Sequence, residues 1–200
     1  MESFVKVLLA VLICSQGLCS QGPEEEPAED VMERSNLQFS IDLYKESVKK
    51  EENVFFSPWS LQTTLGMVYA GAEKTTKSQM QKALSFLNNS NDLIYKGLYQ
   101  NLISIQNTTN RDISLDAGNR VYVSNDTTLN PKYHDILQNT FQSGASGVNF
   151  QNENIYKYIN AWVQQKTRGK ILELIPNGAL GPETKMVLVN AIYFKGHMDD

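Results

Sequence analysis

Apolar residues recur at helical spacing early in the chain, at Leu37, Ile41, Tyr44 and Val48, and predict an amphipathic helix over 31–50 with that stripe packed inward. Lys49 and Lys50 suit its negative C-terminal end. The run NVFFSPWSLQTTLGMVYAGA predicts a short strand at 54–56 and then a break. Ser57 is placed to cap a helix whose first position is Pro58, with Leu61, Leu65 and Val68 along one face and Gly71 at its end. Thr75 or Thr76 is expected to cap a further helix carrying Met80, Ala83 and Leu84, and Ile94, Leu98, Leu102 and Ile105 mark another over 91–106.

The second half alternates differently. Ile113, Leu115 and Ala117, then Val121 and Val123, predict a strand with one face packed. Asn130 is the expected cap of a short helix containing Pro131, and Ile155, Ile159, Trp162 and Val163 stripe a longer one that stops at Gly169. A turn-rich connection, ILELIPNGALGPET, leads into MVLVNAIYFKG, which is apolar on both faces, as a strand covered from both sides is. Helices, mixed strands and no internal repeat make an α+β class.

Composition adds one globular domain: 200 residues, 41% hydrophobic and 20% charged. Residues 1–20 read as a secretory signal peptide, with Lys6, an apolar segment Val7 to Ile13 and small or polar residues before a cleavage point between Gly17 and Gly22. The apolar segment is well short of the roughly 20 residues that span a bilayer. The acidic stretch PEEEPAED makes 21–30 an N-terminal arm, leaving 31–200 as the folded domain. Cys14 and Cys19 both fall in the leader or at its edge, so packing rather than a disulfide must stabilise the body. Sequons at Asn88, Asn107 and Asn125 agree with export, and the expected location is extracellular. A net charge of −4 gives no reason to expect nucleic acid or an anionic membrane as partner.

Catalytic chemistry finds little support. The chain has His134 and His197 as its two histidines and no G-x-S-x-G elbow; Gly144 to Gly147 reads as a flexible loop. No ligand spacing for a metal and no phosphate-binding glycine loop are present, so neither a metal nor a cofactor is expected. Asn190, inside the apolar run, stands out: a buried amide without partners costs about 1–3 kcal/mol, so donors and acceptors must lie close to it.

The segments FSIDLYK, NVFFSPWSL, GAEKTTKSQMQKAL, NRVYV, INAWVQQKTRGKILELIP and VLVNAIYFKG, in this order over 36–196, resemble the serpin family of protease inhibitors. The resemblance implies the serpin fold, a large mixed sheet A with many helices. Val187 to Phe194 would be the third strand of sheet A and Arg120 to Val123 part of the second. Ile155 to Lys166 would be the helix crossing the sheet, and the helix after Pro58 would lie beneath it. It further implies that Ser57, Ser60 and Asn190 form the shutter where the sheet parts, with the serine hydroxyls as partners of Asn190. Lys195, Gly196 and Met198 would lie at the breach, with Met198 where the family usually has tryptophan.

The implied mechanism is suicide inhibition: a protease attacks an exposed reactive loop, forms an acyl-enzyme and is trapped as the cut loop inserts into sheet A. That loop lies far beyond residue 200 in the family, so the chain is expected to be an N-terminal part, truncated before the reactive loop. The expected whole is a secreted monomeric inhibitor of an extracellular serine protease. The alternatives are a non-inhibitory carrier or storage serpin and an inactive truncated product. Heparin binding through the helix over 91–106 is not expected, because that helix carries only Lys96, with Arg111 beyond it.

Overall fold

The computed structural model describes residues 27–48, 54, 56–86, 89–107 and 113–196. Six helices and three strands are defined among them: α1 (Ala28–Ser47), α2 (Pro58–Gly71), α3 (Lys74–Ala83), α4 (Asn91–Gln106), β1 (Ile113–Ser124), α5 (Pro131–Phe141), β2 (Ala145–Val148), α6 (Ile155–Lys166) and β3 (Met186–Gly196).

The strands form one sheet in the order β2-β1-β3. β1 and β3 run antiparallel over their whole described length, whereas β2 lies parallel to β1 only at Val121 to Ser124. A parallel neighbour needs a crossover, and α5 supplies it. Ala145 to Gly147, expected to be loop, thus belong to this strand; four residues are too few for a period-two pattern to stand out.

Side chains alternate between two apolar layers. Val121 and Val123 of β1, with Met186 and Leu188 of β3, face a core containing Met32, Met67, Leu98, Leu137 and Phe141. Tyr122, Val187 and Val189 face the other way, onto Ile155, Ile159 and Val163 of α6. β3 is therefore covered on both faces over Met186 to Val189, as its composition predicts, while its end at Phe194 to Gly196 is exposed; β1, for which one packed face was expected, is covered on both over Val121 to Val123.

Two helices turn a different face inward from the one expected. In α1 the buried residues are Ala28, Val31, Met32, Ser35 and Phe39, while Leu37, Ile41 and Tyr44 are 62%, 40% and 55% exposed. The cause lies on α4, where a Cβ on Gly97 would stand 2.1 Å from Met32 Cγ and 2.6 Å from the Ala28 carbonyl oxygen. The missing side chain lets the two backbones close on that stripe. α1 also begins at Ala28, which is buried, three residues inside the expected arm, and Lys49 and Lys50 lie outside the described residues.

In α2 the buried side is Ser60, Gln62, Thr63, Gly66, Met67 and Tyr69, and Leu61, Leu65 and Val68 are partly exposed. Gln62 shows why: its Nε2 donates to the Leu84 carbonyl at 2.9 Å and to Ser35 Oγ at 3.0 Å, and its Oε1 accepts from Asn36 Nδ2 at 2.9 Å. A satisfied amide can take the inward position that hydropathy alone denies it.

Helix caps follow the sequence more closely. Ser57 Oγ accepts from the Ser60 N–H at 3.3 Å and Asn130 Oδ1 from the Lys132 N–H at 2.9 Å. α3 departs: it starts at Lys74, ahead of Thr75 and Thr76, and Glu73 at the cap position makes no side-chain bond there. Val54 and Phe56 are not in a strand, since no described strand runs beside them to pair with. Past α6, Gly169 adopts φ +76° and its N–H donates to the Gln164 carbonyl at 2.7 Å, which ends the helix as expected.

Candidate functional site

Three elements meet at one amide. Asn190, midway along β3, faces Asn119 of β1 directly in the antiparallel register, and its Nδ2 donates to Asn119 Oδ1 at 2.8 Å. From below, the hydroxyl of Ser60, in the first turn of α2, donates to Asn190 Oδ1. Ser60 is 4% exposed and Asn190 is half-buried, so these bonds replace water that the packed sheet excludes. Both ends of the carboxamide are thereby held, and the lock joins β1, β3 and α2.

Ser57 makes no hydrogen bond with Asn190. Its hydroxyl accepts the backbone N–H of Ser60, so it acts one step back by fixing the turn that carries Ser60. Pro58 at the first helical position presets that turn. Asn119 was missed as a site residue. It stands in NRVYV, and the signal that finds it is the register: the strand centred on Asn190 must set some β1 side chain opposite, and antiparallel pairing makes it Asn119.

The other expected site residues lie apart from this lock. Lys195 and Gly196 are exposed at the end of β3, opposite Ser114 and Ile113, and Met198 lies outside the described residues. Asn88 also lies outside them; Asn107 is exposed just past α4, and Asn125 is exposed in the turn after β1. His134 sits on α5, and among the described residues no three His, Cys, Asp or Glu side chains converge as metal ligands would.

Around the lock the polar groups serve position. The Tyr122 hydroxyl is buried without a hydrogen-bond partner, and burial raises its pKa despite the opposing effect of Arg120. Asn160 of α6 anchors the connection to β3: its Oδ1 accepts the N–H groups of Leu174 and Ile175 at 3.0 and 2.9 Å, and its Nδ2 donates to the Ile175 carbonyl at 2.8 Å. At the far end of that connection Lys185 donates to Asp126 at 2.9 Å. The Ser124 hydroxyl first, then Lys185 and Thr127, hold the Asp126 carboxyl down at about 2.

The chain can be set beside known proteins. The Serpin (serine protease inhibitor) family model matches residues 34–200. Serpin B10 of Bos taurus is 35% identical over 191 residues, covering 84% of this chain and 48% of its own length. Serpin B8 of Homo sapiens is 36% identical over 170 residues, covering 83% and 45%. Among solved structures, emu ovalbumin (Dromaius novaehollandiae) superimposes with a TM-score of 0.75 at 29% identity, over 81% of this chain and 46% of that one. A structure titled "Cleaved Serpin 42Da" gives 0.74 at 32% identity, over 84% and 45%.

These matches correct one expectation. Most of these curated relatives are B-type serpins, a group of intracellular proteins, and they point away from the secretion and extracellular location that residues 1–20 suggest. The chain spans about half the length of the curated relatives it matches. With the family matched over most of the chain and a serpin structure matched by helices and a partial sheet, the chain belongs to the serpin family and carries the N-terminal part of its fold.

Proposed function

We propose that this chain is the sheet-forming part of a serpin that traps a serine protease by inserting its cleaved reactive loop into the sheet. The observation that carries this reading is the Ser60–Asn190–Asn119 lock. A sheet that must admit a strand needs an interface that is closed yet able to part. Apolar packing between β3 and α2 would be tight and indifferent to direction, whereas a few hydrogen bonds break as a unit and can be remade with a new strand. In this reading Ser57, Ser60 and Asn190 are the shutter, with Asn119 as a fourth member, and Lys195 and Gly196 mark the entry end of β3 at the breach.

The test is to extend the chain to the length of its relatives and incubate it with a panel of serine proteases. A covalent complex that survives denaturing electrophoresis, with one loop cleavage per trapped protease, supports the reading. The ovalbumin structures among the fold neighbours favour a second reading, a non-inhibitory serpin of carrier or storage type. Cleavage with full release of active protease and no rise in Tm would decide for that second reading.

A further inference from the structure

A cavity of about 310 Å³ opens beside β1 on the side where β2 stops. β2 covers only Val121 to Ser124, so the edge of β1 at Ala117 to Arg120 has no strand neighbour there among the described residues. The space is bounded instead by the ends of α4, α5 and α6.

Its charge is one-sided. Arg120 and Lys166 both line it, and no carboxylate does. Arg120 Nη2 donates to the neutral Ser146 hydroxyl at 3.3 Å, and its guanidinium lies 5.5 Å from the Tyr122 ring centre. Lys166 makes no hydrogen bond or ion pair with any described residue. The nearest strand carboxylate, Asp116, is taken by Arg168 at 2.7 Å. Two cations held at one cavity without a counter-charge favour an anion between them.

The walls define the rest of the ligand. Half-buried Trp162 supplies flat apolar surface, and Phe141, itself buried in the core, closes the floor. Gly118 sets the wall's depth: a Cβ there would lie 3.2 Å from Lys166 Cδ and from Trp162 Cζ2, so its absence lets the lysine stem and the indole lie against the strand. A volume near the lower end of the usual range of about 300–1,000 Å³ suits a small molecule, not a peptide strand.

We infer that this cavity is a binding site for a small aromatic carboxylate, its head between Arg120 and Lys166 and its ring on Trp162. The site is independent of the inhibitor reading, since it needs neither the reactive loop nor the opening of the sheet.

The experiment is a titration of the isotope-labelled protein, extended to the length of its relatives, with benzoate, following the indole N–H resonance of Trp162, with benzyl alcohol and inorganic phosphate as controls. Saturable shifts with benzoate, and binding weakened about tenfold in Arg120→Gln and in Lys166→Gln, support the site. Lys166 is exposed, so its substitution leaves the fold intact and keeps the test decisive if Arg120→Gln proves unstable. Benzyl alcohol binding as tightly as benzoate, phosphate binding as tightly as benzoate, or an unchanged affinity in Lys166→Gln would each overturn it.

Discussion

Asn190 occupies a strand covered on both faces, where valine or isoleucine would pack without any need for partners. Its place there is tenable because Ser60 and Asn119 satisfy opposite ends of one carboxamide. Ser60→Ala therefore removes more than one weak bond: it leaves Asn190 Oδ1 facing a dry interface. The expected loss is about 1–3 kcal/mol, read as a lower urea midpoint with an unchanged slope. An unchanged midpoint would mean that water reaches the amide and that no lock exists. Asp126 gives a pH signature at the same scale. Its folded pKa lies below the ordinary 3.8, so its contribution is present above that value and disappears as pH falls through about 2. The carboxyl is largely exposed, so the effect on stability is small and the titration itself is the useful reading. The Asp126 carboxyl resonance should titrate near 2, and Lys185→Gln should move the midpoint upward; a midpoint at 3.8 in the parent chain would refute the clip.

Local chemistry makes some elements legible in the sequence and leaves others hidden. Ser57 before Pro58 and Asn130 before Pro131 read as caps because a cap depends on residues within one turn, and both act so in the structure. β3 reads as doubly covered because burial on both faces leaves no polar alternation. The inward faces of α1 and α2 could not be read in the same way, since each helix carries two apolar stripes and the choice is made by a distant partner. For α1 that partner is Gly97, 65 positions beyond Met32, which it nearly touches. Likewise Asn119 enters the lock only through its register with a strand 71 positions away. Gly97→Ala tests the α1–α4 contact. Alanine favours an exposed helix by up to about 1 kcal/mol over glycine, so the intrinsic effect is stabilising. Here the new methyl collides with the Ala28 carbonyl as well as with Met32, and backbone cannot rotate away. The net expectation is a destabilisation of about 1–3 kcal/mol, with amide exchange rising first in the N-terminal turns of α1. A stabilised variant would show that the helices are not packed this closely.

The whole molecule carries apolar surface that its own described residues do not cover. Leu37, Ile41 and Tyr44 form one stripe on α1; Leu61, Leu65 and Val68 form another on α2; and Phe194 is 67% exposed near the end of β3. β3 is also the last strand in the sheet order, so one of its edges has no partner among the described residues. An apolar strand edge beside uncovered apolar helix faces is a template for association. Two driving forces are separable here, because the helix stripes act through burial and the strand edge through backbone hydrogen bonds. These 200 residues prepared alone should self-associate at micromolar concentration in sedimentation velocity. Replacing Ile41 and Leu65 by glutamate should reduce association if the helix faces drive it, since both side chains are partly exposed and neither belongs to the buried stripe. If the strand edge drives it, those substitutions should leave association intact while proline at Ile192 abolishes it, because the register turns the Ile192 N–H away from β1 to the open edge and proline removes that donor. Ile192 stands opposite Ala117 in the sheet, however, so that variant must first be shown to keep its helix content. A monodisperse monomer in the parent chain would contradict both, and would mean that the exposed stripes are screened within the chain itself.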